Sequence, residues 1–291
     1  MNFNLSRRIS LFAAGVVMAA ATPALAHRQW LLPSATVLSG DDAWITVDAA
    51  VSNDIFYFEH QPLRLGNLVA TAPDGSEAKI ENPSTGRFRS TFDVHLTQKG
   101  TYRIGSTSDN VMGSYKLNGT ETRLPRGLTT ATLAAAIPAG ATDVRTAESS
   151  NRLEVFVTVG APSTGVFRTS GKGIELVPIT HPNDLVAGDA ATFQFLLDGK
   201  PAANLAVTVI PAGIRYRSAL GQIELKADAA GKVSIKWPQA GMYWLNASVG
   251  GRLEGGPSPG RPAAAPVSAA APAGPAPRRA NYVTTLEVLA P

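Results

Sequence analysis

The sequence predicts an all-β protein, two tandem β-sandwich domains following a cleaved signal peptide. Three observations carry this. Short stretches rich in Val, Ile, Phe, Tyr, Trp and Thr recur along the chain, separated by Gly, Pro, Asn and Asp. The spacing of these stretches repeats between the two halves. The first residues have the layout of an export signal, which leaves residues 27–291 to fold.

The signal comes first. Arg7 and Arg8 precede an apolar stretch from Leu11 to Ala21, and Ala24-Leu25-Ala26 supplies the small-x-small cleavage pattern. The apolar stretch is shorter than the roughly 20 residues of a membrane-spanning helix, so residues 1–26 are expected to be removed. "SRRISLF" loosely resembles a twin-arginine signal, although the ordinary unfolded route fits the same letters. The expected location is the periplasm. The chain contains no cysteine, so an exported form gains nothing from disulfides and has no thiolate for metal binding or nucleophilic attack.

Expected strands in the first half are "AWITVDA" (43–49), "DIFYFEH" (54–60), "LVATAP" (68–73), "RSTFDVHL" (89–96) and "TYRIGST" (101–107). "RLEVFVTVG" (152–160) is expected to close the first half, and the second has "ATFQFLL" (191–197), "LAVTVIPAG" (205–213), "KVSIKWP" (232–238), "MYWLNASV" (242–249) and, as the counterpart of "RLEVFVTVG", "NYVTTLEVL" (281–289). "SGDDAWITVDA", "PDGSEAKI" and "QKGTYRI" of the first half correspond to "AGDAATFQFLL", "DAAGKVSIKW" and "QAGMYWL" of the second. Domain boundaries follow: a first sandwich over 27–165, with an irregular region at 108–150, and a second over 166–291. In the irregular region, "TTATLAAAIPAGATDV" (129–144) can supply one short helix before Pro138 or simply drape over the first sandwich. The Ala/Pro-rich stretch 251–280 lacks any strand pattern and is read as a loop inserted before the last strand.

Charge excludes one function class. The formal charge of +4 counts both signal arginines, and four further arginines lie within 251–280 against Glu254 alone. The remainder is close to neutral, without the basic stripe of a nucleic-acid surface. Enzyme readings find little support and no catalytic residue is assigned. "SGKGIEL" (170–176) lacks the phosphate-loop spacing, no GxSxG elbow occurs, and carboxylates are scattered. Arg215 and Arg217 in "IRYRS" are expected to alternate on one strand face, where they can grip an anion or simply be solvated.

The candidate chemistry lies in four histidines: His27, His60, His95 and His181. Cleavage after Ala26 would make His27 the first residue of the mature protein. Its α-amine and imidazole can then both donate to Cu(II) or Ni(II), metals suited to nitrogen ligands in square or tetragonal sites. Gln29 stands at mature position three, so the amide-nitrogen clasp completed by a third-position histidine is absent. His60 closes "FYFEH", and strand alternation would put it on one face with Phe56 and Phe58. His95 shares the outward face of its strand with Asp93, which can stand behind an imidazole or join a metal site. His181 precedes Pro182 in a turn with Asp184 and Asp189 near in sequence. Each also has an ordinary explanation: a chain end, a strand end, a polar face and a rigid turn. Trp30 is expected to anchor the new terminus, since a fraying end binds metal weakly.

Several segments together resemble the DUF4198 family of exported proteins: "AHRQWLLPSATVLSGDDAW" (26–44), "GKGIELVPITHPNDLVAGD" (171–189), "DGKPAANLAVTV" (198–209) and "DAAGKVSIKWPQAGMYWL" (228–245). The resemblance implies immunoglobulin-like or transthyretin-like sandwiches and a periplasmic component associated with nickel or cobalt uptake. Its partners would be a metal ion and a membrane transporter component, and His27 matches the family's front-end pattern. A retained membrane span is not expected. Metal binding or delivery is thus the leading expectation, with Ni(II) or Cu(II) as the ion. An interaction module without metal and a copper-dependent oxidative enzyme are the alternatives.

Overall fold

The structure, a computed structural model, describes residues 27–250 and 278–291. The expected signal and all but the last three residues of the Ala/Pro-rich stretch lie outside the described residues.

The described residues are almost entirely β. In chain order the strands are β1 (Arg28–Pro33), β2 (Val37–Leu38), β3 (Ala43–Ser52), β4 (Gln61–Pro62), β5 (Val69–Thr71), β6 (Glu77–Ala78), β7 (Ile80–Thr85), β8 (Ser90–Leu96) and β9 (Gly100–Leu117). There follow β10 (Thr120–Arg123), helix α1 (Thr130–Ala136), β11 (Thr142–Val159), β12 (Ile174–Pro178), β13 (Ala190–Leu197), β14 (Lys200–Pro201) and β15 (Ala206–Pro211). The last are β16 (Ile223–Lys226), β17 (Lys232–Lys236), β18 (Gly241–Val249) and β19 (Arg278–Val288). Of the two readings of 129–144, the helical one matches: α1 ends ahead of Pro138.

These strands form three sheets. A five-stranded sheet runs β1-β3-β8-β7, with β4 on β3; a four-stranded sheet runs β12-β13-β14, with β17 on β13. The third sheet has ten strands and runs β16-β15-β18-β19-β11-β9-β5-β6. It crosses residue 165, because β11 and β19 pair in parallel from Glu148↔Arg278 to Val155↔Thr285. One continuous sheet therefore contains strands from both halves.

Alternation explains the cores. Ile45, Val47, Phe92 and Val94 of the five-stranded sheet share one buried cluster with Tyr102, Ile104, Val155 and Val157 of the ten-stranded sheet. Phe193, Phe195, Val233 and Ile235 of the four-stranded sheet share a second with Val207, Val209, Leu245 and Tyr282. Two facing sheets around each core are consistent with sandwich architecture. Neighbouring residues on β15, β18 and β19 go to different cores: Val209, Tyr243 and Tyr282 to the second, Ile210, Trp244 and Val283 to the first. This part of the ten-stranded sheet is buried on both faces, so "MYWLNASV" reads as a nearly unbroken apolar run.

A buried polar cluster sits where β11, β12 and β19 meet. The Tyr282 hydroxyl donates to Glu154 Oε1 at 2.8 Å, and Arg152 lies 3.1 Å from Glu175 and 3.7 Å from Glu154. Burial raises the Glu154 pKa, with Arg152 and the Tyr282 hydrogen bond opposing.

Three expectations need correction. Residues 54–60 are a loop and not a strand, because Glu59 Oε1 accepts the Asn53 and Asp54 amides at 2.8 and 2.9 Å and folds the segment back. The stretch 108–150 is largely β, formed by the outer halves of β9 and β11 paired antiparallel from Thr142↔Lys116 inward. Arg215 and Arg217 do not alternate on a strand: residues 214–216 form a 3-10 turn, and Arg217 turns inward onto the carbonyls of Pro211, Ala212 and Leu220.

Candidate metal site at the start of the first strand

β1 is held from both sides. It pairs antiparallel with β3 from Arg28↔Ser52 to Pro33↔Val47, and Trp30 and Leu31 are fully buried. On its other flank the Trp244 indole donates to the Gln29 carbonyl at 2.9 Å. A chain of side-chain amides leads to the same residue. Asn246 donates to Asn281 and Asn281 to Asn151, both at 2.7 Å, and Asn151 reaches Gln29 Oε1 at 3.5 Å. The residue two places after His27 is thus tied to the ten-stranded sheet, and His27 leaves a fixed strand.

The loop 53–60 is fastened to that strand. Trp30 Nε1 donates to Ser52 Oγ at 2.8 Å, and Ser52 Oγ donates to the Asp54 carbonyl at 2.6 Å. Arg28 Nη1 donates to the Asn53 carbonyl. The Phe56 and Phe58 rings both lie 5.5 Å from the Trp30 ring, Phe56 edge-on. Phe56 has φ 59°, a left-handed conformation uncommon for a bulky residue, held where the loop must reverse to bring its ring to Trp30. Cation–π contacts support the rim, with Arg89 4.3 Å over Phe58 and Arg215 3.8 Å over Tyr57.

This arrangement brings His27 and His60 together. Their rings stack with centroids 3.7 Å apart and planes 8° from parallel. Burial lowers the His27 pKa, the neighbouring His60 lowers it further, and the Glu59 carboxylate partly offsets both. Ring lone pairs lie in the ring planes, so two stacked imidazoles do not point at a common atom. One ring must turn for both to bind one ion. His60, at an exposed loop end, is placed to turn.

The other two histidines stand elsewhere. His95 on β8 faces Trp44 in register, whereas Arg28 faces Ser52 at the far end of β3, about 26 Å along the strand. The His95 ring stacks on Trp44 at 4.2 Å, and its Nε2 lies 2.8 Å from Asp42 Oδ1. Asp93 shares the outward face of β8 but accepts from Thr46 Oγ1 and Asn82 Nδ2. The carboxylate behind His95 is therefore Asp42, from the turn before β3. His181 uses both ring nitrogens: Nδ1 accepts the Asn183 amide at 3.1 Å, and Nε2 lies 3.0 Å from Thr101 Oγ1 and 3.3 Å from the Ser163 carbonyl. Burial lowers its pKa, against opposing effects of the Ser163 carbonyl and Asp184.

Among the described residues no group of three or more His, Asp or Glu is gathered as for a metal ion. The donors at the His27–His60 pair are two imidazoles, to which cleavage would add one amine. Such an all-nitrogen set suits Cu(II) or Ni(II) and would not suit Ca(II) or Mg(II), which take oxygen. No helix among the described residues is long and apolar enough to cross a membrane.

The family model described as a domain of unknown function, DUF4198, matches residues 24–251. No curated protein matches the sequence. Among solved structures, the D0-D1 domain of intimin is similar at 13% identity, covering 89% of this chain and 97% of that one, with a TM-score of 0.22. A marsupial T cell receptor is similar at 12% identity over 77% and 68% of the two chains, with a TM-score of 0.18. Neither likeness bears on function.

Proposed function

For a chain that belongs to the DUF4198 family, we propose the role of an exported, periplasmic metal-binding or metal-delivery protein, with its ion held at the start of β1. His27 supplies imidazole and, once residues 1–26 are removed, the terminal amine; His60 supplies the second imidazole. The observation that carries the reading is the 3.7 Å pairing of two histidines that are 33 positions apart in sequence and come from separately anchored segments. Cu(II) or Ni(II) fits these donors, and the donor set suits an ion passed on to a membrane transporter as well as one that stays bound. On this reading the two cores are two sandwich units, and the ten-stranded sheet between them holds the site strand still.

Calorimetric titration with Cu(II) and Ni(II) tests this, using protein whose intact mass confirms a His27 start. Beside it stand a form with one extra N-terminal alanine and a His60→Ala variant. One-to-one binding is expected, weakened at least about tenfold in both altered forms, equivalent to about 1.4 kcal/mol. Equal binding by all three forms, or by none, overturns the proposal.

A further inference from the structure

A second site lies on the other side of the ten-stranded sheet. A cavity of about 220 Å3 opens between the strand pair β9–β11 and the segment 170–174 that precedes and begins β12. Pockets for drug-sized ligands start near 300 Å3, so this one suits a smaller molecule. Asp109 and Ser150 are register partners on β9 and β11, and Thr107 pairs with Arg152 one step along the same face. Lys172 stands on the opposite wall. Gly173 lets this wall descend: a Cβ there would lie 2.7 Å from Ser150 Oγ.

The charges lining the cavity are not equivalent. Arg152 is committed to Glu175 and Glu154. The side chains of Asp109 and Lys172 have no hydrogen-bond or ion-pair partner among the described residues, although they line one cavity. Ser150 is 5% exposed and its hydroxyl has no partner either. A buried hydroxyl left unpaired is costly, and rotation about its single χ1 turns it toward the cavity. Among the described residues, the site thus offers one unpaired negative charge, one unpaired positive charge and a spare hydroxyl around one cavity.

We propose that this cavity binds a small zwitterion, a free α-amino acid, with its ammonium toward Asp109 and its carboxylate toward Lys172. A simple anion would meet Asp109 and a simple cation Lys172. A ligand carrying both charges satisfies both walls. The proposal does not depend on the metal reading and uses neither proposed metal ligand, although Asn151 and Asn281, which tie down Gln29, also line this cavity.

L-alanine is the probe, titrated calorimetrically into chelator-treated protein, with N-acetyl-L-alanine and L-alanine methyl ester as analogues lacking one charge each. Saturable alanine binding is expected, with both analogues weaker by about two- to fivefold, since exposed pairs are individually modest. Asp109→Asn should bring alanine down to the level of the N-acetyl analogue, and Lys172→Gln to the level of the ester. Both side chains are exposed, so unchanged melting temperatures would show the variants folded. The proposal is overturned by no saturation at about 10 mM alanine, by analogues binding as well as alanine, or by folded variants that bind like the parent. Saturation by glucose and not alanine would also overturn it.

Discussion

Replacing Trp30 by leucine should separate the part of the core that merely stabilises the protein from the part that sets the histidine pair. The indole is fully buried, meets two phenylalanine rings at 5.5 Å and donates one hydrogen bond. Each ring contact contributes about 0.5–1.5 kcal/mol beyond area, and the hydrogen bond about 1 kcal/mol. With the lost apolar area partly retained by leucine, the total is about 3 kcal/mol, at the low end for truncating a buried aromatic. Denaturant unfolding measures this. The more informative readout is metal affinity, because Trp30 fixes Phe56, Phe58 and, through Ser52, the Asp54 carbonyl. Freeing the loop 53–60 from β1 should weaken Cu(II) or Ni(II) binding at least about tenfold. Trp237→Leu is the control. Trp237 is 1% exposed, in the second core against Tyr243. With one ring contact and an indole N–H that has no partner among the described residues, it should cost somewhat less stability and leave metal affinity unchanged. If both variants weaken binding equally, or Trp30→Leu destabilises without touching affinity, the argument that Trp30 positions the site is wrong.

Two predictions concern pH. Glu154 has a raised pKa in the fold, so its contribution is most favourable below the ordinary carboxylate range and declines as pH rises through the folded value. Glu154→Gln keeps an acceptor for Tyr282 and leaves Arg152 its Glu175 partner. Its melting temperature should equal or exceed the parent's near pH 7 and show no gain near pH 4; a clear loss at neutral pH would contradict this. His181 has a lowered pKa, and its Nδ1 accepts an amide hydrogen that protonation would displace. Its contribution is present above the ordinary histidine range near pH 6.5 and is lost as pH falls through the folded value. His181→Gln should flatten the fall in melting temperature between about pH 7 and pH 5; an unchanged slope would place the acid sensitivity elsewhere.

Legibility in the sequence followed burial. "AWITVDA", "RSTFDVHL" and "KVSIKWP" alternate because one face is buried, and their strands are found within a few residues of the expected limits. β1 escaped notice because the adjacent Trp30 and Leu31 are both buried, which breaks a period of two. The outer halves of β9 and β11 escaped because most of their residues are partly or fully exposed on both faces, leaving no hydrophobic period to read. "DIFYFEH" misled because Phe56 and Phe58 do reach the core, through a left-handed Phe56 that no periodicity signals. For the histidines, sequence identified the candidates but not their neighbours. The His27–His60 meeting depends on the Arg28↔Ser52 register, and the Asp42 partner of His95 on a turn. Asp109 and Lys172 passed unnoticed as surface charges, since nothing local indicates that β12 begins above β9.

The parallel pairing of β11 with β19 also constrains how the molecule assembles. Glu148 must wait for Arg278, 130 positions later, before the middle of the largest sheet can close. Contacts so distant in sequence slow folding, because the ends of a long loop must meet before either is rewarded. Until then β11 and β18 each expose a bare edge with unpaired amides and carbonyls, the kind of surface that recruits other chains. Pairing the final strand closes both edges at once. A peptide copying 278–288 would therefore be a selective trap for incompletely folded chains and should leave the finished protein untouched.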